Sequence, residues 1–227
     1  MSSTRTDAVD AVEAARAAFA RGEPVLIHDA ADREGEVDIV YPAAAVDPDA
    51  VSRLRNDAGG LICVAISDGV AEAWELPFLA DALDHPATAA GHLDYDDRSS
   101  FSLPVNHRDT FTGITDDDRA LTIRELGAAA DAAEAGRFGA DEFAESFRSP
   151  GHVTLLRGAP GLLADRQGHT ELGLALAAAA DREPAVVVCE MVDGDTGEAR
   201  TPADARAYAE REGLVYVEGR DLLTDLD

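Results

Sequence analysis

Lysine is absent from this chain. All 19 basic residues are arginine, and 45 acidic residues bring the formal charge of the 227-residue protein to −26. Neutralising nucleic-acid phosphates takes a basic patch, which this balance does not supply, so nucleic acid is excluded as an expected partner. Cysteine is nearly absent too. Cys63 and Cys189, each within an apolar strand-like run, are too few for a disulfide framework or a cysteine-rich zinc site, and they fit a reducing cytoplasm. No run approaches the ~20 apolar residues of a membrane span. The N-terminal region carries Asp7, Asp10 and Glu13 where a secretory leader would be basic. A cytoplasmic protein away from membranes is expected. The lysine-free, alanine-rich, acidic composition also suits a salt-loving cytoplasm, in which dense carboxylates hold water and their mutual repulsion is screened.

What the chain does have is 46% apolar residues, enough for one large α/β domain. It also has one concentrated acidic stretch, Asp32-Arg33-Glu34-Gly35-Glu36-Val37-Asp38, between apolar runs at 25–27 and 39–40. In an extended chain Glu34, Glu36 and Asp38 face one side, because strand side chains alternate. Gly35 disfavours the helical alternative. Three carboxylates separated by steps of roughly 7 Å repel one another unless a cation lies among them. Arg33 supplies part of that charge, and a hard divalent ion such as Mg2+ can supply the rest. In so acidic a chain, solvated surface is the plain alternative.

Around this stretch, periodicity predicts a helix over 7–21 with Val9, Val12 and Phe19 inward, strands over 25–28 and 37–41, and a helix over 47–57 opened by Asp47-Pro48. An apolar strand follows over 61–66, in which Cys63 reads as core. Residues 67–100 show no period and read as loop. Next come a strand over 101–105 with Pro104 near an edge, a helix over 120–133, and a helical excursion over 131–149 ending at Ser149-Pro150-Gly151. A strand over 152–157, a helix to about Ala180, a strand over 185–192, a helix over 203–213 and a strand over 214–217 complete the expectation.

Three further places carry chemistry. Thr110 to Arg119 sets hydroxyls, Gly113 and free amides before a helix, a way of holding phosphate that Asp116, Asp117 and Asp118 oppose; capping is the plain alternative. In Arg166-Gln167-Gly168-His169-Thr170-Glu171, Arg166 can pair with an anion, Gly168 permits a tight turn, and Thr170 can cap the helix. That makes a phosphate pocket, with His169 at its mouth as either a metal ligand or a capping residue. Glu190 is a carboxylate in an otherwise buried strand, costly unless paired or functional, and suited to proton transfer if it ends the strand at the pocket.

In order along the chain stand the acidic loop with Arg33, Glu34, Glu36 and Asp38; Gly60-Leu61-Ile62-Cys63; Thr112-Gly113-Ile114-Thr115 with Asp118-Arg119; Pro150-Gly151-His152; Arg166 to Glu171; and Cys189-Glu190. This series resembles the 3,4-dihydroxy-2-butanone 4-phosphate synthase family, in its stand-alone form and with a halophilic archaeal character, over about 8–223. The resemblance implies an α+β fold, a mixed sheet flanked by helices in a single domain over 1–227. It implies a homodimer with each site near the subunit interface. It further implies conversion of the sugar phosphate ribulose 5-phosphate to 3,4-dihydroxy-2-butanone 4-phosphate and formate, for riboflavin, with Mg2+ as cofactor and Mn2+ as a substitute. By position it implies Glu34 and His169 as metal ligands. Substrate contacts are implied for Arg33, Glu34, Asp38, Thr112, Thr115, Arg166, Gln167, Gly168, His169, Thr170 and Glu190, and catalytic parts for His152, Glu190, Glu36, Asp38 and Cys63. Gly35 and Val37 stand where many bacterial members have Asn and Gly. Two other readings compete. Another Mg2+-dependent sugar-phosphate enzyme, an isomerase or aldolase, need not release formate; a non-catalytic acidic cation-binding module would require neither the Arg166–His169 run nor Glu190.

Overall fold

The two apolar runs flanking the acidic loop form neighbouring antiparallel strands, β1 (Val25–His28) and β2 (Val37–Pro42), so the loop is a hairpin connection within a larger sheet. The computed structural model describes residues 2–29, 35–88 and 98–226, with side chains from residue 9 onward. Arg33 and Glu34 thus lie outside the described residues. β3 (Cys63–Ile66), β4 (Phe101–His107), β5 (Phe147–Arg157), β6 (Ala185–Glu190) and β7 (Val215–Glu218) complete one sheet of order β4-β5-β3-β6-β2-β1-β7. β1 runs parallel to β7 and β3 to β5, while the other pairs are antiparallel.

Helices cover both faces, which is why the central strands read as continuous apolar runs rather than alternating ones. All six residues of β2 are buried. One face carries α1 (Ser2–Ala20), α7 (His169–Ala179) and α9 (Gly219–Leu226), packed on Val25, Ile27, Val40, Cys63, Val186 and Val188. The other carries α2 (Pro48–Arg53), α3 (Asp68–Ala73), α5 (Asp116–Glu134), α6 (Ala140–Ser146) and α8 (Pro202–Glu212), packed on the opposite side chains of the same strands. α7 is apolar nearly all round and accordingly buried along most of its length. Among the described residues no helix is long and apolar enough to cross a membrane.

The single domain with a mixed sheet and flanking helices is as expected, with local differences. α1 starts at Ser2 rather than residue 7. The helix expected over 47–57 is α2 followed by a π-helical turn, Leu54–Ala58, that stops at Gly59 in the left-handed region, φ 91°. Residues 67–100, expected as loop, contain α3, capped by the Ser67 hydroxyl, and α4 (Leu79–Ala82); both are too short to show a period. The excursion expected over 131–149 is wrong in its last part: α6 ends at Ser146, and Ser149-Pro150-Gly151 lies inside β5, with a cis Ser149–Pro150 peptide. The register jumps here from Val105↔Val153 to Asn106↔Arg148, so residues 149–152 bulge out beside the edge strand β4. A bulge tolerates a proline that has no N–H to give the ladder. α9 follows β7 directly and was not anticipated.

Candidate active site

Asp38 and Glu190 are cross-strand partners on β2 and β6. Strand alternation puts both on the α7 face, with Val40 and Val188. Two carboxylates directly opposite each other destabilise a sheet, and Asp38 is only 2% exposed. The compensation comes from elsewhere in the chain. His169, the first residue of α7, is buried with Nδ1 3.6 Å from Asp38 Oδ1. The backbone N–H of Leu61 donates to Glu190 Oε2 at 2.8 Å, and that of Gly60 to the Glu190 carbonyl at 3.0 Å. A Cβ on Gly60 would collide with the Glu190 side chain, so only glycine permits this approach. This wrapping also explains why β3 begins at Cys63 rather than Leu61.

Cys63 faces the same layer, one strand from Val188. Burial pushes its thiol well above the ordinary range, and the nearby Glu190 and Asp38 carboxylates add to the effect. Cys63 is therefore a neutral thiol on the floor of the corner.

The acidic loop is tied at its base. Asp29 N–H donates to the Glu36 carbonyl, and Glu36 N–H donates to Asp29 Oδ1, both at 3.2 Å. Asp29 is buried, and its Oδ2 has no hydrogen-bond partner among the described residues. The sequence reading missed Asp29; its only signal was an acid placed directly after an apolar strand. Glu36 is partly exposed at the start of β2.

At the other side of the corner, Gly168 rather than Thr170 is the N-cap of α7, and no side chain caps that end. Thr170 is buried within the first turn. The uncapped amides and the helix dipole favour an anion. Arg166 donates from Nη1 to Glu171 Oε2 at 2.8 Å, and Glu171 Oε1 accepts from Ala159 N–H at 3.1 Å. Glu171 is fully buried; burial pushes its carboxyl up, against the pull of Arg166. The sequence showed Glu171 only as the end of a motif, not as the group that aims Arg166. Arg166 also borders a cavity of about 370 Å3 lined by Phe78, Arg98, Ser100 and Arg157. Gln167 is exposed.

His152, Thr112 and Thr115 are not brought into this corner. β5 stands two strands from β6, roughly 10 Å at the usual spacing. His152 is exposed there, with its backbone and ring both bonded to Asn106. Thr115 is the N-cap of α5, accepting from Asp118 N–H. The amides expected to hold phosphate are already occupied: those of Phe111, Thr112 and Gly113 donate to the Asp118 carboxylate at 3.3, 3.1 and 2.7 Å. These bonds, led by that from Gly113, hold Asp118 below the usual carboxylate range.

A family model described as 3,4-dihydroxy-2-butanone 4-phosphate synthase matches residues 13–224. The 3,4-dihydroxy-2-butanone 4-phosphate synthase of Archaeoglobus fulgidus is 50% identical over 215 residues, covering 91% of this chain and 90% of its own. That of Methanosarcina mazei is 46% identical over 223 residues, covering 94% and 88%. The crystal structure of the Candida albicans synthase superposes with a TM-score of 0.77 at 27% identity, covering 95% of this chain and 97% of that one. A crystal structure of a 3,4-dihydroxy-2-butanone 4-phosphate synthase in complex with two magnesium ions gives 0.75 at 29% identity, covering 93% and 94%.

Proposed function

The chain belongs to the 3,4-dihydroxy-2-butanone 4-phosphate synthase family and converts ribulose 5-phosphate to 3,4-dihydroxy-2-butanone 4-phosphate and formate for riboflavin biosynthesis; on that premise we propose that the Asp38–Glu190–His169 corner is its catalytic centre. The observation that carries this is the opposition of two carboxylates, one of them buried, beside a buried imidazole. A fold does not assemble that combination for stability alone.

Carboxylate oxygens and an imidazole nitrogen fit Mg2+, with Mn2+ as a substitute. Among the described residues no group of three His, Cys, Asp or Glu side chains can hold a metal by itself. Our reading therefore completes the ligand set of His169 with Glu34 from the acidic loop. When bound, Mg2+ supplies Lewis-acid stabilisation of charge developing on the substrate's oxygens. A relative crystallised with two magnesium ions supports the assignment of the metal.

The remaining residues follow from what the substrate requires. A ketose phosphate must lose a proton beside its carbonyl, lose water, rearrange its skeleton and release formate, so several groups must exchange protons at different carbons. Glu36, Asp38 and Glu190 are those groups at the corner, and His152 is the one that acts from the neighbouring edge of the sheet. Leu61 N–H holds the Glu190 carboxylate in place, and Cys63 packs beneath as a neutral thiol. The phosphate sits at the uncapped start of α7, contacting Gly168, Thr170 and Gln167, with Arg166 held toward it by Glu171. Arg33 contacts the substrate from the acidic loop. Thr112 and Thr115 shape the loop beside His152.

The acting species in this reading is a homodimer. Leu61, Phe101, Phe111 and Ile114 are large apolar residues left exposed on segments flanking β5, Phe111 at 92%, and a second copy would cover them. A solution mass of one chain, 23.8 kDa, under assay conditions would exclude it.

The decisive assay follows formate from ribulose 5-phosphate, with Mg2+ and then with excess EDTA, in dilute and in molar KCl. Formate should appear one for one with the four-carbon phosphate, stop with EDTA, and form faster in molar KCl, where the charge of −26 is screened. Turnover that survives EDTA removes the metal role. Rates indifferent to salt remove the halophilic reading.

A further inference from the structure

Asn106, near the end of β4, is 3% exposed. Its carboxamide is bonded twice to a single residue: Oδ1 accepts the backbone N–H of His152 at 2.8 Å, and Nδ2 lies 3.1 Å from His152 Nδ1. The first bond settles how the amide is turned, because a backbone N–H can only donate and must meet the oxygen. The group left facing the ring is then the NH2, which has only hydrogens to offer. Nδ1 must accept, and in a neutral imidazole the proton resides on Nε2.

From this we infer that Asn106 is a positioning residue for His152, fixing it as the Nε2–H tautomer, so that His152 enters the reaction as a donor through Nε2. A proton on Nδ1 would set two donors face to face and break the contact.

The surroundings keep the carboxamide in this pose. Gly113, with φ +88°, lies directly on it, and a Cβ there would collide with the amide group. Gly151 is pressed equally closely on the backbone of Val105 and Asn106, where no side chain fits. The Asp118 carboxylate binds the amides of Phe111, Thr112 and Gly113 and so holds the loop against Asn106. The glycines of the Thr112-Gly113 and Pro150-Gly151-His152 stretches thus make room for one arrangement, the Asn106–His152 pair.

The inference rests on His152 acting in catalysis, but its spectroscopic part does not. With 15N-labelled histidine in the full-length protein, His152→Ala identifies the resonance. The neutral ring of the wild type should then show Nε2 protonated and Nδ1 bare. Asn106→Asp still accepts the backbone N–H but offers Nδ1 a carboxylate oxygen, so it should invert the pattern. Forcing the wrong tautomer on a catalytic imidazole while keeping its geometry costs on the order of 10^4 in kcat. Asn106→Asp should therefore lose roughly 10^3- to 10^4-fold in kcat, with KM nearly unchanged. A wild-type ring protonated on Nδ1 overturns the proposal, and that spectrum decides even if Asn106→Asp does not fold. An inverted tautomer with undiminished kcat also overturns it. Turnover retained by His152→Ala would overturn the catalytic reading of His152 and with it the positioning role, leaving the tautomer assignment as a separate result.

Discussion

The corner where β2, β6 and α7 meet and the edge where β4 meets β5 hold their polar residues in opposite ways. At the corner, Asp38, His169 and Glu171 are enclosed: Asp38 faces Glu190 on β6 and His169 on α7, and Glu171 holds Arg166 and the Ala159 N–H. At the edge, His152 stands exposed on a bulge, bonded to Asn106 on the next strand, beside a loop clamped by its own helix through Asp118. Enclosure strengthens electrostatic effects but makes every unpaired charge costly. Exposure makes pairing cheap and leaves orientation to be enforced by geometry. The corner suits charge chemistry, and the edge suits a group that must be aimed.

If that contrast is right, removing a partner should damage the two regions very differently. The largest effect is expected at the corner. Glu171→Ala removes a fully buried carboxylate from the Arg166 guanidinium, 17% exposed, and leaves the Ala159 N–H without its acceptor. Breaking such a pair costs about 3 kcal/mol. Denaturant unfolding should show that loss, accompanied by a rise in KM as Arg166 leaves the phosphate site. A loss indistinguishable from zero would mean that the corner is more hydrated than its burial indicates.

A smaller and more local effect is expected at the edge. Asp118→Ala should free the amides of Phe111, Thr112 and Gly113 while leaving the unfolding midpoint nearly unchanged, which amide-exchange NMR would register. The pH dependence has a definite sign. Because the folded Asp118 is held below its ordinary value of 3.8, its clamp is present above the unfolded pKa and is lost as pH falls through the lower, folded one. The three amide resonances should titrate together with a midpoint below 3.8. A midpoint at or above that value would mean that the clamp is not made in solution, and the contrast between the regions would lose its local half.

Much of the architecture was legible without coordinates. The apolar runs at 25–28, 37–41 and 185–190 are strands because they are continuous, β-branched and bounded by turn residues. The acidic loop was located by two such runs, and Asp47 caps its helix as read. Less regular segments were not legible. α3 and α4 are shorter than a helical period needs to declare itself, and the bulge at 149–152 is defined by a partner strand over 40 residues away.

The candidate site divides along the same line. Residue types marked Asp38, His169 and Glu190, since a run of carboxylates, a histidine beside glycine or an acid inside an apolar strand is visible in one dimension. His152 was marked only by the order of motifs that carries the family resemblance. Which of them meet was decided only by the tertiary structure. Register sets Asp38 against Glu190, helix packing brings His169 to Asp38, and sheet order keeps His152 two strands from Glu190. Asn106 carries no signal in sequence, and Asp29 and Glu171 only a faint one, because each matters through a hydrogen bond to a group placed by folding. Local propensity and hydrophobic period act over a few residues and can be read from them. Pairing, burial and the direction of a hydrogen bond depend on groups far apart in the chain, and exist only once the sheet has closed.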